Sequence, residues 1–454
     1  MELDKKTALF ETTPVPKAIL TLAVPTVASS LVMILYNLAD TFFVGMLNDP
    51  IETAAVTFAA PLILAFNAIN NLFGIGSASM MSRALGRKDY ETVRRSSAFG
   101  FYCALICGLL ISLGVALFNA PVLSVLGGKG ESLAPLKEYV KWTVCFGAVP
   151  SILNVVLAYL IRAEGSALHA GIGTMSGCLL NIILDPIFIL PQFLDMGAAG
   201  AGLATFISNT VACVYFLAII AVKGKNTYVC IKPSEFRLDR RIATEVCKVG
   251  VPAAIQNLLN VTGMTVLNNF MSVYGDIAVT AMGIAHKIAM IPMYVSMGIS
   301  QGVMPLVGYN YSAKNPKRMK SAVVYTSVIS VSFLAVMAAL LSFFAEDVIR
   351  LFMENAEVVE YGAAFMRAQA PAQVFLCMDF IAVAVFQSCG MGLMSLIFAL
   401  LRKVVLEIPA LVVLDKLFPM YGIAYAQLVA EFVLAVAAVI FLIRILKKFE
   451  RECK

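Results

Sequence analysis

The chain has 454 residues, of which 60% are hydrophobic and only 14% charged, roughly half the charge density of an ordinary globular domain. At ~20 residues per spanning helix this leaves room for about a dozen spans and no sizeable soluble domain, which excludes a secreted, cytosolic or nucleic-acid-binding protein. The net charge of +6, from 34 Lys and Arg against 28 Asp and Glu, then reports orientation in a lipid bilayer rather than a polyanionic partner.

Residues 1–17 are polar, and the first apolar run extends from Ala18 to about Met46. It is too long for a signal-peptide core and carries Asp40, so it is expected to stay in the membrane uncleaved. Apolar runs separated by charged breaks predict helices over 18–46, 54–81, 96–120, 138–161, 168–192, 197–222, 246–273, 278–308, 321–345, 358–388, 393–416 and 421–446. The expected fold is an all-α polytopic membrane protein with twelve transmembrane helices. With the N-terminus in the cytoplasm, the even-numbered turns hold Arg83, Arg87, Lys88, Arg94 and Arg95, then Arg162, then the basic run from Lys223 to Lys248, then Lys314, Lys317, Arg318 and Lys320. Adding the N-terminal lysines and the tail from Arg444 to Lys454 places about 25 basic residues inside against about six outside, which predicts a multi-pass protein of the cell membrane with both termini cytoplasmic.

The segment from Val24-Pro25 through Arg95 can be laid on Val251-Pro252 through Ser321. Gly76 falls on Gly302, and the turn Gly86-Arg87-Lys88-Asp89 falls on Ser312-Ala313-Lys314-Asn315. Further on, Leu184-Asp185 falls on Leu406-Glu407 and Gly200 on Gly422. Two six-helix pseudo-symmetric bundles are therefore expected: an N-lobe over 1–222, a cytoplasmic linker over 223–245 and a C-lobe over 246–454. Because six is even, both repeats enter the membrane from the same side, with the symmetry axis along the membrane normal.

The ten cysteines lie singly in apolar runs or beside basic loops, and the two histidines, His169 and His286, form no metal-ligand spacing. They are read as reduced packing residues, and a zinc enzyme lacks its ligands. Gly74-Ile75-Gly76 lies inside an apolar run with no strand before it, so helix packing is the better reading than a phosphate loop.

A carboxylate in hydrocarbon must be paired, hydrated or protonated. Five fall within predicted spans: Asp40, Asp185, Asp379, Glu407 and Glu431. Tyr36, Asn37 and Asp40 lie within one turn, and Asn67, Asn70 and Asn71 follow the spacing of one helix face. Asn181 and Asp185 are four apart, as are Thr205 and Asn209. The first six spans offer no Lys or Arg to neutralise the acids, and Pro186 can free a carbonyl beside Asp185, so a proton or cation site is expected there. The alternative is a carboxylate pair merely hydrated or hydrogen-bonded between packed helices. Glu407 follows Lys403 by four residues and is read as a structural ion pair, whereas Asp379 has no sequence-local cation and is divided between a substrate or ion site and a hydrated core residue. Met290, Met293 and Tyr294, with Met297, suit a surface for apolar cations, although such a stripe is more often packing.

These residues, including Ala23-Val24-Pro25, Tyr36-Asn37-Leu38-Ala39-Asp40, Arg83-Ala84-Leu85-Gly86-Arg87 and Asn181 with Asp185-Pro186, resemble the multidrug and toxic compound extrusion (MATE) transporters over nearly the whole chain, closest to the bacterial and archaeal DNA-damage-inducible branch. The resemblance implies two lobes around a V-shaped cleft and alternating-access export of organic cations and drugs in exchange for protons or sodium. It implies no cofactor besides that coupling ion, no nucleic-acid partner and a monomer in the lipid bilayer. By motif position it implies an ion-coupling and substrate site at Asp40, Asp185, Asn181 and Thr205, with a sodium ion, if used, at Asp40, Asn181 and Asp185. Tyr36, Asn37, Asn67, Asn70, Asn209, Met290, Met293, Tyr294 and Asp379 are the further candidates for a substrate cleft. Another branch has a Glu eight residues beyond the seventh-span proline, where this chain has Asn260, so a C-lobe sodium site of that kind is not expected. A flippase for a lipid-linked precursor, from the same superfamily, is the alternative; it calls for Arg residues to grip a diphosphate, and the N-terminal spans have none. A polytopic enzyme would need a catalytic cluster that is absent, and the internal repeat disfavours a receptor.

Overall fold

A computed structural model describes residues 2–47 and 49–453. Lys454, counted above among the basic residues of the tail, lies outside the described residues. Every regular element among them is helical, as lipid demands of a chain that must satisfy its own backbone. The first half runs α1 (Glu2–Glu11), α2 (Val15–Met46), α3 (Pro50–Phe58), α4 (Ala60–Ile69), α5 (Gly76–Gly86), α6 (Tyr90–Leu117), α7 (Asn119–Val125), α8 (Leu133–Val140), α9 (Ala148–Ala163), α10 (Ala167–Ile189) and α11 (Gly197–Lys223). Then follow α12 (Arg240–Ser272), α13 (Asp276–Ser312), α14 (Pro316–Phe343), α15 (Ala345–Arg350), α16 (Ala356–Ser388), α17 (Gly392–Leu400), α18 (Ile408–Leu417) and α19 (Tyr421–Glu452). Three π-helical stretches, Asn70–Ile75, Lys141–Phe146 and Leu401–Glu407, join α4 to α5, α8 to α9 and α17 to α18.

Among the described residues nine helices are long and apolar enough to cross a membrane, and the pair Gly130–Phe146 and Ala148–Ala163, bent by 48°, makes a tenth. The other two predicted spans exist as helices but are less apolar. α12 carries Gln256, Asn257, Asn260, Asn268 and Asn269, and the α17–α18 stretch carries Arg402, Lys403 and Glu407. The outer faces are those of a lipid-solvated chain: α6 exposes Ile106, Leu109, Leu110, Leu113 and Leu117, and α14 exposes Val324, Val328, Phe333, Val336 and Leu340. Polar side chains such as Asp185, Asn181, Asp379, Arg402 and Glu431 are instead buried.

By internal contacts the chain forms two compact units, Met1–Thr12 with Ala28–Ala254, and Thr13–Val27 with Ile255–Lys454. The opening turns of α12 thus belong to the first unit and those of α2 to the second. Two aligned glycines permit these approaches. A Cβ on Gly76 would stand 2.5 Å from the Val246 carbonyl oxygen, and one on Gly302 would stand 2.7 Å from the Ala23 Cα. Gly200 and Gly422 do the same in the last span of each repeat, each lying on the backbone at the end of the preceding helix, at Phe188 and Leu414.

The repeat is visible down to its turns. Lys88 and Lys314, at φ of 59° and 54°, both take the left-handed conformation. Each is followed by a residue whose side chain caps the next helix: Asp89 Oδ1 accepts from the Thr92 N–H at 3.1 Å, and Asn315 Oδ1 from the Arg318 N–H at 3.1 Å. α6 and α14, which these residues cap, both have 28 residues.

One element was not expected. α1 folds within the polar N-terminal stretch and docks by Phe10, 2% exposed, and Lys6, 7% exposed. Lys6 Nζ donates to Glu164 Oε1 at 2.6 Å and to the Asn226 carbonyl at 3.1 Å. The fully buried Glu164 carboxylate also accepts from Ser166 Oγ (2.9 Å), Thr227 Oγ1 (2.8 Å) and the Tyr228 N–H (2.7 Å). One carboxylate therefore ties together α1, the turn between α9 and α10, and the segment after α11. The Tyr228 ring stacks on Tyr90 with centroids 5.4 Å apart.

Candidate functional site

Within the first unit, α10 and α11 pack side by side and α9 packs against both. Glycines on α10 make the approach possible, since a Cβ on Gly177 would stand 3.0 Å from the Ala212 Cβ of α11. Asn181 and Asp185, four residues apart and so on one face of α10, point inward at 2% and 0% exposure. With the Asn181 amide turned so that its nitrogen faces the carboxylate, it donates to Asp185 Oδ2 at 2.8 Å and its oxygen accepts from the Thr205 N–H of α11 at 3.1 Å. The opposite orientation offers only a 3.5 Å contact with Thr205 Oγ1. Pro186 lies in the last turns of α10, which ends at Ile189, so any backbone bond it removes is near the helix end.

Asp40 and Tyr36, four apart on the later part of α2, are half-buried and lie within electrostatic reach of Asp185. So does Tyr139 of α8, which faces both acids. Two carboxylates, two phenols and an amide therefore share one place, and the groups that act on Asp40 and Asp185 include no Lys or Arg. An arrangement of acceptors and hydroxyls without a resident cation can hold a proton between acids, or offer oxygens to a small or organic cation.

The remaining candidates are dispersed. Asn37 and Asn67 are exposed, whereas Asn70, 5% exposed, is buried. Asn70 closes the α-helical register of α4, its N–H donating to the Phe66 carbonyl, and opens a π-helical stretch that shifts the register of the residues that follow. Asn209 is engaged elsewhere: its Oδ1 accepts from Asn154 Nδ2 at 2.7 Å and its Nδ2 donates to Ser151 Oγ at 2.9 Å. In the second unit Met290, Met293 and Tyr294 are half-buried on α13. Asp379 is fully buried and held by Arg402, whose Nη1 donates to Asp379 Oδ2 at 2.9 Å. Arg402 also donates to Asn260 Oδ1 and lies over the Phe380 ring at 5.5 Å. Lys403 Nζ meets both oxygens of Glu407, at 2.8 and 2.6 Å.

Tyr139 and Arg402 had no assigned role in the sequence reading. A lone guanidinium inside an apolar run must find a buried partner, and that signal pointed to Arg402; nothing local marked Tyr139.

The MatE family model matches twice, over residues 25–187 and 252–413. The chain belongs to the MatE family. The double match coincides with the internal repeat. The multidrug export protein MepA of Staphylococcus aureus (strain MSSA476) is 30% identical over 446 residues, covering 97% of each chain, and MepA of Staphylococcus saprophyticus is 32% identical over 445 residues, again 97% of each. A crystal structure of a MATE protein in complex with MaL6 superposes with a TM-score of 0.92 at 25% identity, covering 98% of this chain and 99% of that one. The MatE fold is thus the twelve-helix transporter fold, and the protein is a multi-pass membrane transporter rather than an enzyme.

Proposed function

We propose that this MatE protein is a cation-coupled antiporter that exports organic cations and drugs across the cell membrane by alternating access, with both termini in the cytoplasm. The observation that carries this reading is the Asp185–Asn181–Thr205 bond chain facing Asp40, Tyr36 and Tyr139 with no Lys or Arg among its partners. The names of the curated relatives, multidrug export proteins, support the substrate class. A lipid-linked diphosphate would be gripped by guanidinium groups, and none faces this pair, so the flippase alternative is not favoured.

A cationic substrate and a coupling proton or sodium ion would neutralise the same carboxylates in turn. Asn181 holds Asp185 in place, and Asp40 is carried on a different helix, so that relative movement of α2 and α10 changes how well the pair receives either occupant. The decisive experiment is efflux of a fluorescent organic cation from proteoliposomes under separately imposed proton and sodium gradients. Asp40→Asn and Asp185→Asn should each abolish gradient-driven efflux while the purified proteins keep wild-type elution profiles and melting temperatures. Full efflux in either variant would remove these residues from the coupling site.

A further inference from the structure

The second unit contains a buried charge cluster that the proposed export mechanism does not use. Its members are Asp379 on α16, Arg402, Lys403 and Glu407 on the π-helical stretch between α17 and α18, and Glu431 on α19. Their side chains are 0 to 5% exposed except for Lys403 at 15%. Arg402 is committed to Asp379 and Asn260, and Lys403 to both oxygens of Glu407. Two cations are thereby matched with two acids. Glu431 is the third acid. It is 1% exposed, its Oε2 has no hydrogen-bond partner, and Asp379 Oδ1 has none either.

The groups facing Glu431 from its neighbours are Asp379 of α16 together with Arg402, Lys403 and Glu407 of the π-helical stretch. Among the described residues α14 and α18, which also pack on α19, present no charged group to it. His286 of α13 lies within electrostatic reach of Lys403 and Glu407. With all three acids ionised, the cluster would hold one uncompensated negative charge in a low-dielectric interior, and the carboxylate carrying it would have an oxygen with no donor at all. A proton on Glu431 removes both faults, because it cancels the charge and leaves Oε2 no longer an ionised oxygen without a donor; the unused donor of the cluster, Arg402 Nε, makes no hydrogen bond to it. A metal ion would not do this equally well. It needs several free oxygen ligands, and among the described residues no group of three or more His, Cys, Asp or Glu is arranged to hold one.

We propose that Glu431 is a proton-binding site of the second unit, protonated at neutral pH, and that its proton keeps the Asp379–Arg402 and Lys403–Glu407 cluster electrically balanced. The site is separate from the Asp40–Asp185 pair, and its test does not depend on that pair being the coupling site.

The test is infrared spectroscopy of the full-length purified transporter, which reads the carbonyl stretch of a protonated carboxyl group directly, combined with thermal unfolding. At neutral pH the wild type should show such a band, Glu431→Gln should lose it, and Asp40→Asn should keep it. Glu431→Gln should also melt within a few degrees of wild type, since an amide replaces a neutral acid, whereas Asp379→Asn, which breaks an ion pair, should melt far lower. A second variant reads the charge balance: in Arg402→Gln the cluster has one cation fewer, so one further protonated-carboxyl band should appear. The proposal is overturned if the wild type lacks the band, if Glu431→Gln leaves it unchanged, or if Glu431→Gln fails to fold or melts as low as Asp379→Asn.

Discussion

A pair of caps carries the repeat at the smallest scale. Asp89 and Asn315 follow left-handed lysines and hold the N–H three residues on, so one local solution serves both halves. They differ in charge and in one partner, because the position of Thr92 is taken by Arg318 in the second half. Hydrogen bonds from Thr92, whose hydroxyl donates to Asp89 Oδ2 at 2.7 Å, hold the Asp89 carboxyl below its ordinary value of 3.8. A group depressed in the folded state contributes stability that is complete above its unfolded value and is lost as pH falls through the folded one. Its contribution should therefore fade only below pH 3.8. Asp89→Asn, which installs the cap of the second half, should keep neutral-pH stability and flatten that acid limb, whereas Asp89→Ala should cost about 1 kcal/mol at neutral pH. Unfolding midpoints of the three proteins across pH check both. At Glu164 the stakes are larger, since it is buried and accepts four bonds, one from Lys6. Glu164→Ala strands the buried ammonium and should destabilise the protein by about 3–5 kcal/mol. A melting temperature within a degree or two of wild type would show that the docked α1 contributes little.

Helices packed through glycine are the next scale, and here the legible and the illegible divide by distance along the chain. The aligned Gly200 and Gly422, the spacing of Asn181 and Asp185, and the Lys403–Glu407 pair could be read because each depends on residues within a turn or on a repeated position. The Asp379–Arg402 pair spans 23 residues and two helices, the Lys6–Glu164 pair 158 residues, and Tyr139 reaches the acids from a separate helix. Such partners are chosen by packing, which periodicity does not encode. The π-helical stretches were hidden for a related reason: an extra residue in a turn leaves composition unchanged while rotating every later side chain, as it does beyond Asn70. Gly200 tests the packing directly. A Cβ there would lie 2.5 Å from the Phe188 carbonyl oxygen, a backbone atom that cannot swing aside. Gly200→Ala should therefore cost about 1–3 kcal/mol, despite the better helix propensity of Ala. Glu407→Gln, by contrast, should lower the melting temperature through loss of the Lys403 pair while leaving efflux by the surviving folded protein intact. Normal melting with lost efflux would make Glu407 part of the transport pathway.

For the whole molecule, coupled export as proposed requires that a gradient on one ion drive movement of another cation. Asp40 and Asp185 lie near each other in the first unit without a Lys or Arg partner, and two such acids at a poorly hydrated site do not comfortably carry two uncompensated charges. In the proposed mechanism, whatever neutralises them, whether substrate, proton or sodium, does so at the expense of the others. Linkage makes this competition reciprocal, with a coupling free energy of typically ~1–3 kcal/mol. Across a membrane potential of about 100 mV, each net elementary charge returned supplies ~2.3 kcal/mol, a factor of about fifty in the equilibrium. Exchange of one such ion for one monovalent organic cation moves no net charge, so the potential drives export only when more elementary charges return than leave, and otherwise the chemical gradient of the ion must drive it. Binding of a fluorescent organic cation to the purified protein should weaken as pH falls or as sodium rises, by about 5- to 150-fold between the extremes. In Asp40→Asn that dependence should vanish, because one competitor site has become neutral in every state. Affinity that stays flat over pH 5 to 9 and over a wide sodium range in the wild type would separate the ion site from the substrate site. The carboxylate pair would then have to act through conformation rather than through a shared charge.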